Sequence, residues 1–424
     1  MQNSRSYRVD GELGRFEFPT YRVVQADGLV YDTAREVFAP LGCWERYETI
    51  GFKELAFMQG LTERSSRKTA DWLNRIRHHP GATVSTTLRT SAEREGQQVL
   101  ACLERTTTAI LHDAGFDTTG QPLRAVPLGR QDPVMISGEA VNDAITACDL
   151  PADERAEVEQ NPVCYEQPTE TVNISIDDVV VKQQKRHRIR RDEPDDRDEE
   201  ATHGRKYVHN TVAHVQHQQQ TYCLTGQGVP AVLRMVLGYL LANVLLGARL
   251  QFFVDGQKTL QAAILRAFSW CRNVGIILDW YHLEEKCKQQ LSSAKMGKHQ
   301  RNDVLATLTR CLWYGRVASA IAYLQGLPDQ TMQNPDAIRI LIGYVERNCP
   351  YIPCYAVRKR LGLRNSSNIG EKMNDLLVSD RQKHNGMSWS VSGSSALAAL
   401  EALKRNKTSQ SWLEYHEIPL KRVA

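Results

Sequence analysis

Several features are scarce in this chain, and each absence narrows the reading. Its ten cysteines contain no CxxC pair, and the closest spacing is Cys349 to Cys354. That excludes a zinc-finger pattern and a small disulfide framework, and predicts reduced, mostly buried thiols. Charge of one sign is not in large excess. The 53 basic and 49 acidic residues leave a net charge of +4, so composition alone does not announce a nucleic-acid binder. Uneven placement of the basic residues matters more. The start, Met1-Gln2-Asn3-Ser4-Arg5, is polar and lacks a signal-peptide pattern. Long unbroken apolar runs are also missing. The nearest approach, Val229 to Ala248, contains Arg234, Asn243, two glycines and Pro230, and stands between strand-like segments. It predicts a buried helix of an α/β core rather than a membrane span.

What is present is ample for a sizeable core: 424 residues, 42% of them hydrophobic, a length that predicts two or three domains. Residues 1–50 predict a small β-rich or irregular piece, with a hairpin turn at Asp27-Gly28. From Phe52 to Gly96 the pattern predicts three short helices, the second capped by Ser65 and the third opened by Thr83-Val84-Ser85 and closed at Gly96. This spacing fits a helix-turn-helix, with Arg67, Lys68 and Arg89 among the basic residues available to phosphates. A plain helical bundle with a solvated basic face fits the same pattern. A further helix is expected from Gln97 to Ala114, a polar stretch from Gly115 to Asp132 and a short acidic helix from Pro151 to Glu159.

The central stretch is Val172-Asn173-Ile174-Ser175-Ile176-Asp177-Asp178-Val179-Val180-Val181. Its β-branched residues predict a buried strand, yet two acids stand inside it. A carboxylate in a buried strand is unfavourable unless something pairs with it, and a metal ion is a common partner. The second such place is Phe252-Phe253-Val254-Asp255-Gly256, an apolar strand ending on an acid. Asp178 faces away from Asp177 by strand alternation. Asp279, after Val274-Gly275-Ile276-Ile277-Leu278, competes with Asp255 for the second position, and His282 stands close to it. His209, His214 and His217 do not predict a zinc site, since alternation puts His214 on the face opposite the other two.

Around these acids the predicted order is strand, strand, strand, helix, strand, helix, strand. That is the order of an RNase H-like fold. Between the first two strands, Lys185, Arg186, Arg188, Arg190 and Arg191 precede an acidic run from Asp192 to Glu200, which predicts a mobile loop. Its basic half is a candidate grip on phosphates, or a solvated hairpin tip. Residues 281–362 predict a helical insertion, followed by helices near Ile369–Arg381 and Ser394–Lys404 and a poorly packed tail after Asn406. Phosphodiester cleavage by two metal ions needs carboxylates from a central strand, a neighbouring strand and an adjacent helix. Mg²⁺ prefers such hard oxygen ligands.

Three places in the sequence resemble the DDE transposases of bacterial insertion sequences, in the wider group that includes the Mutator-like enzymes. Ile176-Asp177-Asp178 resembles that family's apolar-Asp-Gly strand motif, with Asp178 in the glycine position. Val254-Asp255-Gly256 resembles its second-aspartate motif, and Leu278-Asp279-Trp280-Tyr281-His282 its Leu-Asp-aromatic-aromatic-His segment. Ser366-Ser367-Asn368-Ile369-Gly370-Glu371-Lys372-Met373-Asn374 resembles Gly-Ser-Gly-x-x-Glu-x-x-Asn, with Ser366 and Asn368 replacing glycines. Arg381, Lys383 and Gly386-Met387-Ser388-Trp389-Ser390 resemble the Arg-x-Lys and Gly-Met-x-Trp-Ser that follow.

The resemblance covers roughly residues 50–405. It implies an α/β catalytic core of RNase H-like type with an all-α insertion, plus an α-helical helix-turn-helix region that binds element ends. The implied organisation is 1–50 small segment, 51–165 DNA-binding region, 166–282 first part of the core, 283–362 insertion, 363–405 C-terminal part of the core and 406–424 tail. It makes Glu371 the third metal ligand beside Asp177 and Asp255, with two Mg²⁺ or Mn²⁺ ions, and Asp279 the alternative second acid. His282 and Asn374 would support the ligands, and Arg381 and Lys383 would join the phosphate contacts. The implied partners are double-stranded DNA, as element ends and target, and further copies of the chain as a homodimer or higher oligomer. The expected location is the bacterial cytoplasm, with the nucleoid. Two other functions fit the same residues: a non-catalytic DNA-binding protein derived from a transposase, and an RNase H-like nuclease without strand transfer.

Overall fold

The computed structural model describes residues 5–24, 26, 28–33, 48–63, 65–125, 134–184, 206–383 and 387–421. The basic run Lys185, Arg186, Arg188, Arg190 and Arg191 lies outside the described residues. The chain is mixed α/β, with one five-stranded sheet of mixed direction and many helices.

Two antiparallel hairpins come first: β1 (Arg5–Gly11) with β2 (Gly14–Thr20), and β3 (Arg22–Val24) with β4 (Val30–Asp32). Helix α1 (Ile50–Thr62) is capped by the Thr49 side chain, and α2 (Ser66–Ile76) by Ser65 as expected from the sequence. The next helix differs from the expectation. Instead of stopping at Gly96, α3 runs unbroken over Ser85–Asp113, 29 residues. Gly96 does not break α3; it admits another backbone. A Cβ there would stand 2.6 Å from the Cα of Ala396. The helix tolerates the glycine because that contact needs it.

Helices α4 (Gly138–Thr146) and α5 (Ala152–Glu159) follow, the first of them not foreseen from the sequence. Then come β5 (Thr171–Lys182), β6 (Tyr207–His217), β7 (Gln220–Gly226), α6 (Val229–Ala242), β8 (Arg249–Val254), α7 (Lys258–Ala267) and β9 (Val274–Leu278). The sheet order is β7-β6-β5-β8-β9. Strands β6 and β7 are antiparallel, whereas β5, β8 and β9 run parallel. The apolar β5 alternates because Val172, Ile174 and Ile176 are buried. Helix α6 is buried on most of its circumference, as its nearly continuous apolar run requires. Among the described residues no helix is long and apolar enough to cross a membrane.

The helical stretch after β9 comprises α8 (Trp280–Ser293), α9 (Lys298–Trp313), α10 (Val317–Gln325), α11 (Asp336–Asn348) and α12 (Tyr355–Arg360). Their apolar faces share one core with Phe253, Ile277 and Leu278 of the sheet. Helix α13 (Asn368–Asn374) passes into a π-helical turn, Asp375–Ser379. Helices α14 (Val391–Arg405) and α15 (Ser409–Tyr415) end the described chain.

The tail corrects a second expectation. Trp412, Leu413, Ile418 and Leu420 are buried, and the Trp412 indole donates to Oε1 of Glu95 at 2.9 Å. The polar residues around Asn406 hid these large apolar anchors.

The chain forms two compact units. One holds residues 1–106, 179–210 and 376–424, and the other 107–178 and 211–375. These units cut across the boundaries expected from the sequence. The first unit joins the N-terminal helices to α14 and α15, through pairs such as Gly96–Ala396 and Glu95–Trp412.

Candidate functional site

Strand register sets the site in the second unit. The last described pair of β5 and β8 is Ser175↔Phe253. Two residues further along each strand come Asp177 and Asp255. The last pair of β8 and β9 is Val254↔Leu278, and the next residues are Asp255 and Asp279. Three aspartates therefore stand at one level, Asp177 inside β5 just past its parallel pairing with β8, and Asp255 and Asp279 just past the carboxyl ends of β8 and β9.

The three are not equivalent. Asp279 is fully buried. Its Oδ1 accepts the backbone N–H of Tyr281 at 2.7 Å and of His282 at 3.4 Å, capping α8. Its Oδ2 accepts the Ser367 hydroxyl at 2.6 Å and the Ser367 backbone N–H. Both oxygens are thus committed to protein donors, and Asp279 fastens the 366–368 loop to the sheet.

Asp255 is half-buried. Its Oδ1 accepts the Gln257 N–H at 2.9 Å, whereas Oδ2 has no partner among the described residues. Its backbone carbonyl accepts the Tyr344 hydroxyl at 3.0 Å. Gly256 follows with φ +89°, and a Cβ there would come 2.6 Å from the Tyr344 hydroxyl. Both the conformation and the close approach demand glycine.

Asp177 is also half-buried. Oδ1 accepts the Asp178 N–H at 2.8 Å, and Oδ2 accepts the Asn374 side-chain amide at 2.8 Å. Burial pushes its carboxyl above the usual range, and the negative charge of Asp255 pushes it further. The Asp178 N–H and the nearby His282 act in the opposite direction. Asp178 itself is exposed and accepts the Thr211 hydroxyl, so it serves the pairing with β6.

Helix α13 is seated directly on β5. A Cβ at Gly370 would stand 2.8 Å from Cβ of Ser175, so the helix lies against the strand that carries Asp177. Glu371 follows Gly370 and precedes Asn374 by one turn. Its side chain lies outside the described residues. Among the described residues no group of three His, Cys, Asp or Glu side chains is assembled for a metal ion. The described acids of the site are the pair Asp177 and Asp255.

That pair lines two spaces. One is a narrow cleft bounded also by His282, Ser367, Gly370 and Asn374. The other, about 340 Å³, is bounded also by Asp178, Pro230, Gln257 and Thr259. The pair fits a hard divalent cation: carboxylate oxygens, one of them without a donor among the described residues, and a mutual repulsion that a cation relieves.

Of the basic candidates, Arg67, Lys68, Arg89 and Lys383 are exposed, as phosphate contacts must be. Arg381 is half-buried, with its guanidinium 5.3 Å above the Trp389 ring. His214 is buried on β6, and burial lowers its pKa to about 4, which makes it a neutral core residue. No local pattern signals that Ser367 holds Asp279 or that Tyr344 holds the Asp255 carbonyl. The signal for the Ser175–Gly370 contact was present, as a glycine directly before the motif glutamate. No family model, curated protein or solved structure matches the chain.

Proposed function

We propose that this protein is a DNA transposase of the DDE type, with an RNase H-like catalytic core and a DNA-binding helical region. The observation that carries the reading is the pairing of Asp177 and Asp255 on neighbouring parallel strands, with the Asp177 carboxyl pushed up by burial and by its partner's charge. Like-charged carboxylates in a cleft, one with its pKa raised by burial and by the other's charge, are candidates for a functional site. The sheet order, with the first strand central, the hairpin strands on one side and the crossover strands on the other, supports the core assignment. Helix α13, which carries Glu371 in its sequence, is seated on β5 through Gly370, and this supports the reading.

Asp177, Asp255 and Glu371 would hold Mg²⁺ or Mn²⁺, which supplies activation of the attacking water or 3′ hydroxyl and stabilises the leaving oxygen. Asn374 fixes the rotation of the Asp177 carboxylate through its hydrogen bond to Oδ2. Tyr344 and Gly256 fix the backbone that presents Asp255. Asp279 works one step back: it caps α8 and anchors the Ser367 loop, which favours Asp255 as the second ligand. On this reading the scissile strand would enter the larger space beside the two acids.

The exposed Arg67, Lys68 and Arg89 lie on α2 and α3 and support a DNA-binding role for that region. The length of α3 departs from the short third helix of a simple helix-turn-helix. Action on paired element ends calls for a dimer or higher oligomer on DNA, in the bacterial cytoplasm.

The test is incubation of the protein with its flanking inverted-repeat DNA, a target plasmid and Mg²⁺. Cleaved ends joined to the target are the expected products. Cleavage without joining would favour the nuclease reading, and specific binding without cleavage the non-catalytic one.

A further inference from the structure

A cavity in the first unit is lined by none of the residues discussed as metal ligands. It has a volume of about 460 Å³ and lies among α1, the start of α2, α3 and the segment that carries Trp389. That is the size of a small-molecule site. Its lining includes the apolar Phe57, Leu61, Leu397 and Leu400 and the hydroxyl-bearing Thr69 and Ser388.

One wall is formed by Arg381. Its Nε is shielded from solvent and has no hydrogen-bond partner, and its Nη1 meets only the Met387 sulfur, at 3.6 Å. Among the described residues no carboxylate forms an ion pair with it. Glu93, a carboxylate of the lining, accepts the hydroxyls of Ser390 and Ser392. A second cation, the exposed Arg89, also lines the space. Burial lowers the Arg381 pKa. A guanidinium held over an indole ring at a cavity wall, with no ion pair among the described residues, is arranged to receive an anion. The segment is rigidly set: the Trp389 indole donates to the Gln382 carbonyl at 3.0 Å, and the Trp389 carbonyl accepts the Gln184 N–H at 2.8 Å.

We infer that this cavity binds a single nucleotide, with its phosphate on Arg381 and its base against the apolar wall of Phe57, Leu61 and Leu400. A flat apolar body with polar edges and one anionic head matches the two kinds of wall. The nucleotide has two possible sources, a free nucleoside monophosphate or an unpaired end nucleotide of a DNA strand. The inference does not rest on the transposase reading, because no residue of the Asp177–Asp255 site takes part.

The experiment is calorimetric titration of the full chain, in EDTA to silence metal chemistry. The probes are deoxyadenosine 5′-monophosphate, deoxyadenosine, and short duplexes that are blunt or carry one unpaired nucleotide. We expect saturable binding of the monophosphate and weak binding of the nucleoside. Arg381→Gln should weaken the monophosphate by about tenfold or more, and Arg381→Lys by less. Leu61→Trp, which fills the space and keeps the charge, should abolish binding while the thermal melt stays cooperative. Preference for the overhang duplex over the blunt one, with the same sensitivity to Leu61→Trp, would assign the DNA end as the source. No saturation by the monophosphate or the overhang duplex up to about 1 mM would overturn the inference. Equal binding by wild type and Arg381→Gln would overturn it too.

Discussion

The side-chain amide of Asn374 donates to Oδ2 of Asp177 at 2.8 Å and ties α13 to β5. Groups that orient a metal-binding carboxylate affect it nearly as much as ligands do. Asn374→Ala should therefore weaken metal-dependent DNA nicking by about 10- to 100-fold. The loss should be partly recovered at higher Mg²⁺, because the ligand remains and only its orientation is lost. A Mg²⁺ titration of nicking rate checks this. An unchanged titration curve would remove Asn374 from the site.

Asp177 links the site to stability. Its folded-state pKa is raised by burial and by Asp255, so folding favours the protonated carboxyl. Stability is therefore fullest below the unfolded value of about 3.9 and is lost as pH rises through the raised folded value. Asp177→Asn removes this penalty, and should raise the Tm of the metal-free protein at pH 8 while changing it little near pH 4. Mg²⁺ should raise the Tm of wild type at pH 8 and not that of the variant. Melting curves at the two pH values, with and without metal, give the sign directly.

Asp279 and Asp255 should separate by the kind of damage. Asp279→Asn keeps an N-cap for α8 but places an amide where Oδ2 now accepts from Ser367. We expect it to cost about 1–3 kcal/mol of stability while the folded fraction keeps its metal-dependent activity. Asp255→Asn should leave stability nearly unchanged and remove activity. Urea unfolding beside a nicking assay distinguishes the two patterns.

Gly370 tests the seating of α13. Gly370→Ala must push the helix away from Ser175, since its Cβ has no room there. A shift of this size in a reacting constellation can lower the rate by about 100-fold. We expect that loss with circular dichroism close to wild type. Retained activity would mean that α13 carries no ligand.

Trp412 tests the tail. Trp412→Ala removes a buried ring and the partner of Glu95, and should destabilise the first unit by about 3–5 kcal/mol. Chemical denaturation followed by a probe in that unit measures the change.

Much of this arrangement was legible in the sequence because it is local. The β-branched run around Asp177, the apolar run before Asp255 and the Ser65 cap each carry their own signal. What was not legible depends on partners distant in sequence. Gly96 reads as a helix breaker until Ala396 is seen against it. The end of the chain reads as polar until Trp412 meets Glu95. Asp255 and Asp279 read alike, each following an apolar strand, and only their hydrogen-bond partners separate them. The glycine positions at Ser366 and Asn368 differ from the motif, yet the Ser367 N–H and hydroxyl reach Asp279.

The most direct measurement is metal-dependent cleavage of a DNA duplex carrying the flanking element end, with wild type beside Asp177→Ala, Asp255→Ala, Glu371→Ala and Asp279→Asn. We predict nicking by wild type in Mg²⁺ or Mn²⁺, its loss in the first three variants, and its persistence in folded Asp279→Asn. Cleavage that survives Asp255→Ala, or a wild type that binds the duplex without cutting it in either metal, would contradict the assignment of Asp177, Asp255 and Glu371 as a catalytic metal site.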